Sequence, residues 1–186
     1  MHTSTILVWV LFLLNTGTIA APGTFTMRQS TDSKIGLYLN GANFDIDYLQ
    51  TLELSYANAS VYVGRIKNQP YAEPLVVGNF NGDDNSISFV STQKSGTGVQ
   101  QMYVVPGDSK AVGFSLSDRS APQGASTTDF SFGSNAELLH AGINRFFVCQ
   151  NDALAPLDTY QIYWNAAGQP LGWTCQGPVK IQAGDV

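Results

Sequence analysis

Apolar and polar residues alternate along most of this chain, so that every second side chain is hydrophobic. Ser, Thr, Gln and Asn occupy most of the positions between. A period of two places successive side chains on opposite faces of a β-strand, one face in a core and the other in water. The pattern predicts strands at these alternating sets: Phe25 and Met27; Ile35, Leu37 and Leu39; Leu52, Leu54 and Tyr56; Val61 and Val63; Ile87 and Phe89; Val112, Phe114 and Leu116; Phe130 and Phe132; Tyr160, Ile162 and Trp164.

Turn-forming residues separate the predicted strands, as at Asn40-Gly41, Asn81-Gly82 and Pro106-Gly107-Asp108. These residue types either allow a positive φ or fix φ at the value that a turn requires. Many short strands punctuated in this way are typical of antiparallel sheets. We therefore expect an all-β fold, a single antiparallel β-sandwich or barrel-like domain, with at most one helical turn at Asn135 to Leu139.

The first twenty residues have the pattern of a secretory signal peptide. The apolar run Ile6 to Leu14 is too short to span a bilayer as a helix, which takes about 20 residues. Thr18-Ile19-Ala20 matches a small-x-small cleavage site. We predict a signal peptide over residues 1–20 and a single secreted domain over residues 21–186. Residues 177–186 lack the apolar tail of a lipid anchor.

The charge of the chain excludes one class of partner. Lys and Arg number 9 against 14 Asp and Glu, and the formal net charge is -5. The cations are scattered along the sequence, so they form no stripe that could follow a phosphate backbone. We therefore expect no nucleic-acid binding, and the short apolar run gives no reason to expect integral membrane association.

The chain has two cysteines, Cys149 and Cys175. In an oxidising compartment a single pair of cysteines predicts one disulfide bond, and the alternative is two buried, unpaired thiols. A zinc site would need further ligands, and His140 is the one histidine after residue 20. The sequence thus predicts no metal and no cofactor.

The residues that usually carry catalysis form no convincing set. His140 has no Gly-x-Ser-x-Gly motif to accompany it, which favours a structural histidine with satisfied hydrogen bonds near a strand end. The carboxylate pairs Asp45 with Asp47 and Asp83 with Asp84 leave open a hydrolase that uses two carboxylates. Asn and Asp residues between positions 79 and 85 offer oxygen ligands for Ca²⁺, but their spacing is that of a turn and not of an EF-hand. We expect a protein that is not an enzyme.

Two features suit an extracellular surface. Tyr103, Tyr163, Trp164 and Trp173 are rings with a polar edge and could stack on sugars, although a period of two should turn half of them into the core. The sequon Asn58-Ala59-Ser60 lies between two predicted strands. On a secreted chain this position predicts an N-glycan on Asn58.

The second half of the chain resembles the phiA-type cell wall proteins of filamentous ascomycetes. The resemblance covers roughly Gln100 to Ile181 and rests on the following stretches: Gln100 to Gly107, Val112 to Ser115, Ser120 to Ser126, Phe130 to Phe132, Phe147 to Cys149, Tyr160 to Tyr163, and Cys175 to Pro178. It implies a secreted, wall-associated protein linked to phialide and conidium development, with relatives that include IgE-binding allergens. It carries over no catalytic residues, and it assigns Cys149 and Cys175 as the bridged pair.

The sequence therefore favours a secreted, non-enzymatic fungal cell wall protein whose partners are wall polysaccharide or other wall proteins. A secreted carbohydrate-binding or host-interaction module is the second reading, and a two-carboxylate glycoside hydrolase is the third.

Overall fold

A computed structural model describes residues 34–40, 52–68, 72–81, 85–93, 98–116, 118–165 and 168–185 of the chain. These ranges contain sixteen β-strands and three short 3₁₀ turns, the latter at Arg65–Asn68, Ser134–Ala136 and Ala155–Leu157. The strands are β1 Ile35–Asn40, β2 Leu52–Glu53, β3 Ser55–Ala57, β4 Ser60–Gly64, β5 Glu73–Pro74, β6 Val76–Asn81, β7 Ser86–Val90, β8 Val99–Tyr103, β9 Lys110–Ala111, β10 Gly113–Phe114, β11 Phe130–Phe132, β12 Leu138–His140, β13 Phe146–Gln150, β14 Thr159–Trp164, β15 Thr174–Gln176 and β16 Lys180–Asp185.

Fourteen of these strands form one curled antiparallel sheet, and β11 and β12 form a separate hairpin. The sheet has two halves that share β8. Strand β8 pairs with β7 through Gln100 and Gln101, and with β10 through Met102 and Tyr103. The first half continues through β6 and β1 to β16, and the second continues through β4, β14 and β13 to β15.

Two further chain segments join the halves and close the sheet around its core. In residues 52–57, β2 pairs with β1 of the first half while β3 pairs with β4 of the second. In residues 174–185, β15 pairs with β13 while β16 pairs with β1. The predicted all-β antiparallel fold is confirmed, and this closure makes it barrel-like.

The core contains the predicted alternating side chains. In β14, Ile162 and Trp164 are buried in the main core cluster, whereas Tyr163 belongs to a second, outer cluster. The largest fully buried side chains come from both halves of the sheet: Leu37, Leu39, Leu54, Leu75, Ile87, Phe89, Met102, Phe130, Leu138, Phe146 and Ile162. Burial of a large apolar side chain stabilises the fold by about 1.5–3 kcal/mol, so this shared core holds the two halves together.

Some expectations need correction or lie outside the described residues. The helical turn expected at Asn135 to Leu139 is a 3₁₀ turn at Ser134–Ala136, because Asn135 takes φ 64° and the chain enters β12 at Leu138. The predicted signal peptide and the strand at Phe25 and Met27 lie outside the described residues. Within those residues no helix is long and apolar enough to cross a membrane.

Candidate functional site

The outer face of the second half-sheet carries a row of aromatic side chains. We call Tyr62, Phe147, Tyr163 and Trp173 the aromatic strip. Because Ile162 and Trp164 point into the core, strand alternation turns Tyr163 outward, where it packs with Phe147 and Trp173. Tyr62 is turned outward by the same alternation, since its neighbours in β4 are core residues.

Phe147, Tyr163 and Trp173 pack together across strands, while Tyr62 packs in a separate cluster with Ala57, Ile66 and Ala72. Phe147 lies opposite Tyr163 in the register of β13 and β14. The ring centroids of Tyr163 and Trp173 are 4.9 Å apart, in a tilted arrangement. Tyr163 is 8% exposed, while Tyr62, Phe147 and Trp173 are half-buried and show part of their rings to solvent. Tyr163 therefore anchors the strip, and the other three rings form its surface.

The predicted disulfide is confirmed, and it lies beneath this strip. Cys149 and Cys175 are directly opposite in the register of β13 and β15, with Cα atoms 4.1 Å apart. Both belong to the same outer cluster as Tyr163 and Trp173. The bond thus fixes β15, and the chain that leads into it from Trp173, against the centre of the half-sheet.

The strip residues carry no formal charge; β9, which pairs with the Trp164 end of β14, contributes Lys110, and this lysine is ion-paired with Asp108. Strands β4, β13, β14 and β15 contain no Asp, Glu, Lys or Arg. Burial raises the pKa of the Tyr163 hydroxyl, and the nearby Tyr62 hydroxyl raises it further. Burial likewise raises the pKa of Tyr62, so both phenols stay protonated at physiological pH. Gln161 adds an amide on this face, between Cys149 and Tyr62 in the sheet register.

Two of the four rings considered for stacking on sugars lie elsewhere. Trp164 is buried in the core, where it packs edge-on against Phe146 and His140. Tyr103 covers its cross-strand partner Gly113, because a Cβ added at Gly113 would lie 2.5 Å from the Tyr103 hydroxyl oxygen. The structure brings together Tyr163 and Trp173 alone from that set.

His140 is a structural histidine in an apolar setting. It ends β12, is 4% exposed, and lies edge-on to the rings of Phe130 and Trp164 with centroids 5.2 Å away in each case. Burial lowers its pKa and outweighs the opposing effects of Asp129 and of a hydrogen bond to the Thr128 backbone. The expectation of satisfied hydrogen bonds is wrong at one atom, because Nε2 finds no partner among the described residues.

Among the described residues, Glu73 is a buried carboxylate that no sequence pattern singled out. It is 4% exposed and accepts hydrogen bonds from the Ser91 hydroxyl, from the Thr92 backbone N–H at 2.8 Å and from the Thr92 hydroxyl at 2.7 Å. Burial by itself raises the pKa of this carboxyl, but the hydrogen bonds lower it by more. These hydrogen bonds attach the segment that follows β7 to β5. A carboxylate kept ionised in this way is a poor proton donor.

The other carboxylates named from the sequence, Asp45, Asp47, Asp83 and Asp84, lie outside the described residues. Within the described part of the chain, no three His, Cys, Asp or Glu side chains come together as a metal site would require. Of the Asn and Asp run considered for Ca²⁺, Asn85 is described as a turn residue with φ 54°, and its carbonyl accepts a hydrogen bond from the Phe130 N–H.

The sequon lies in a tight hairpin turn, as expected. Ala57 pairs with Ser60, so Asn58 and Ala59 form a two-residue loop between β3 and β4. Their φ angles are 48° and 60°, the positive values that a type I′ turn needs at both positions. The Asn58 side chain is exposed.

The sequence contained a signal for the outer cluster that period-two reasoning missed. Phe146-Phe147-Val148-Cys149 is an unbroken apolar run, and Tyr160 to Trp164 contains four apolar or aromatic residues out of five. Such a strand is covered on both faces. Phe147 could have been recognised in this way as a member of an outer cluster, whereas the placement of Tyr62 depends on the register of β4 and β14.

Comparison with known proteins returned no matching family model, no matching curated protein and no matching solved structure. The geometry of the strip and the sequence are thus the grounds for a functional proposal.

Proposed function

We propose that this chain is a secreted, non-enzymatic fungal cell wall protein that serves phialide and conidium development and holds neutral wall polysaccharide on its aromatic strip. The observation that carries the proposal is the strip itself: partly exposed rings, and the Gln161 amide, on or beside strands that contain no charged residue.

The chemistry of the strip suits a neutral polyhydroxylated chain. An aromatic face is apolar, so it can cover the C–H face of a sugar ring, while Gln161 and the tyrosine hydroxyls can exchange hydrogen bonds with sugar hydroxyls. A face without charge neither attracts nor repels a neutral polymer at long range. Affinity then comes from contact area over several rings, as is usual for stacking on extended chains.

The disulfide supports the extracellular part of the proposal. Disulfide bonds persist in oxidising compartments and are rare in the cytosol. Secretion itself has a direct test: N-terminal sequencing of protein from the culture medium should begin at Ala21. A chain that keeps Met1 in the medium would contradict the predicted cleavage.

The wall contact is tested by sedimentation with insoluble β-glucan and with chitin. We expect the purified protein to be retained on one of these polymers and Trp173→Ala to weaken retention about threefold to tenfold, the loss of one stacking contact. Val99→Ser is the matched control, because Val99 is 66% exposed and lies on β8, away from the strip. This variant should be retained like the unchanged protein.

Two outcomes would contradict the proposal in different ways. Equal retention of Trp173→Ala and the unchanged protein would show that the polymer contacts another surface. No retention on either polymer would leave other wall proteins as the partner, and fractionation of a culture into medium, detergent-extracted wall and residual wall would then locate the protein.

A carbohydrate-binding or host-interaction module rests on the same strip and is the second candidate. Retention on one defined glycan, with little on others, favours the module. Broad retention on wall material together with enrichment in the residual wall favours the structural protein.

A further inference from the structure

A cavity of about 370 Å³ lies where β6 and β7 of the first half-sheet meet β5, which joins the second half through β3. Its walls come from β5, β6 and β7, and the residues that matter for its chemistry are Lys34, Glu73, Gly78, Phe89, Val90 and Thr92. This volume falls within the range of roughly 300–1,000 Å³ that small-molecule sites occupy.

The buried wall of the cavity is rigid. Phe89 is 2% exposed, and its ring lies 4.5 Å from that of Tyr56 and 5.4 Å from that of Phe114, measured between centroids. The Tyr56 hydroxyl in turn donates a hydrogen bond to Gln100 Oε1 at 2.7 Å. This core packing holds β7 in place beneath the cavity, and strand alternation turns the Val90 side chain to the opposite face, toward solvent.

The space at Gly78 is open. A Cβ added to this residue would meet no atom within 4 Å, apart from its chain neighbours. The absence of a side chain here, with Val90 nearby on β7, leaves room for an apolar body.

The two charged residues of the cavity differ in what they offer a ligand. The Glu73 carboxylate is buried, and both of its oxygens already accept hydrogen bonds from Ser91 or Thr92. Lys34 is exposed, and none of the described carboxylates lies within ion-pair distance of it. The ammonium group at the mouth is therefore the charge that a ligand can meet, and it attracts an anion.

We propose that this cavity binds a small anionic amphiphile, whose apolar body, about the size of a naphthalene or an eight-carbon chain, lies against Val90 and Gly78 while its acidic head group meets Lys34. This site shares no residue with the aromatic strip, and the proposal does not depend on polysaccharide binding.

The proposal is tested by fluorescence titration of the full-length secreted protein with two dyes that share one ring system. Anilinonaphthalene sulfonate carries an anionic head, and N-phenylnaphthylamine carries none. We expect both dyes to bind. Lys34→Gln should weaken the sulfonate about twofold to fivefold, as the loss of an exposed ion pair does, and leave the uncharged dye unchanged. Lys180→Gln, an exposed lysine on β16, is the charge-matched control.

A second pair of variants tests the location. Gly78→Leu should weaken both dyes about tenfold or more, because its side chain occupies the space of the apolar body. Val90→Glu adds a negative charge at the mouth on a side chain that is 57% exposed, so it should fold normally and weaken the sulfonate more than the uncharged dye. Unchanged binding of both dyes to Val90→Glu and to a folded Gly78→Leu, or no binding to the unchanged protein, would overturn the proposal.

Discussion

Ala59 holds a backbone conformation that its side chain disfavours. Its φ is 60°, in the second position of the two-residue β3–β4 turn. Asn58 tolerates its own positive φ of 48° because its short polar side chain can bond locally, but Ala has no such compensation. Left-handed backbone at a residue other than glycine costs about 1 kcal/mol or more.

Ala59→Gly should therefore stabilise the protein by about 1 kcal/mol, since Asn-Gly is the preferred pair for this turn. Chemical denaturation measures the change as a higher midpoint with an unchanged slope. Ala57→Gly is the matched control: Ala57 is 3% exposed in β3, so the same change should destabilise. A loss of stability in Ala59→Gly would show that the turn is not of the kind described.

His140 should make the free energy of unfolding depend on pH in a range below about pH 6.5, separate from the range in which Glu73 acts. Burial lowers its pKa below the ordinary value of 6.5, so the unfolded chain takes up this proton first as pH falls. The free energy of unfolding should decrease as pH drops from about 6.5 toward the lowered pKa. The pKa of Glu73 is also lowered, from an ordinary value of 4.5. The stability that its ionised form contributes should therefore be lost only at more acid pH, as pH falls below about 4.5.

The measurement is the denaturation midpoint of the unchanged protein and of His140→Phe between about pH 7.5 and pH 5. Phe keeps a ring between Phe130 and Trp164 and cannot titrate. The variant should lose less stability than the unchanged protein over this range, whatever its stability at neutral pH. Parallel curves would show that His140 is not the group responsible.

At the scale of the strand, the disulfide acts on a short edge element. Strand β15 has three residues and, among the described strands, pairs with β13 alone. Few hydrogen bonds hold it, so the bond between Cys149 and Cys175 supplies much of its attachment. The loop that this bond closes has a sequence separation of 26 and contains all of β14.

Replacing both cysteines, as Cys149→Ala with Cys175→Ala, should destabilise the protein by about 2–5 kcal/mol and reduce secreted yield. Differential scanning calorimetry would show a lower melting temperature. The control is the unchanged protein with its bond left intact, in which alkylation without reduction should label no thiol. A double variant that melts with the unchanged protein would mean that β15 is held by packing alone.

The strands could be predicted from the sequence, and the pairing among distant strands could not. Alternation located β1 and β4, in which the side chains of one face are more deeply buried than those of the other. The same rule failed for Phe147, which lies in a strand with apolar residues on both faces. Glu73 gave no signal at all, because its partners Ser91 and Thr92 follow a different strand and reach it through the register of the folded sheet.

At the scale of the whole molecule, passage through the secretory pathway should leave the exposed hairpin at Asn58 glycosylated. We expect an N-glycan on Asn58, because the turn projects the side chain into solvent. Treatment with an N-glycosidase should increase gel mobility, and Asn58→Gln should migrate like the treated protein. A mobility shift that persists in Asn58→Gln would contradict the assignment.

Closure of the barrel also sets the order in which its strands pair during folding. Tyr38 on β1 and Asp185 on β16 are neighbours in space but 147 residues apart in the chain. Such a pairing is entropically expensive to form early, so local hairpins such as β3–β4 and β13–β14 come first and the seam between β1 and β16 comes late. While the chain is being synthesised, β1 leaves the ribosome long before its neighbour exists. Until β16 arrives, β1 presents an unpaired apolar edge, the kind of surface on which other chains aggregate.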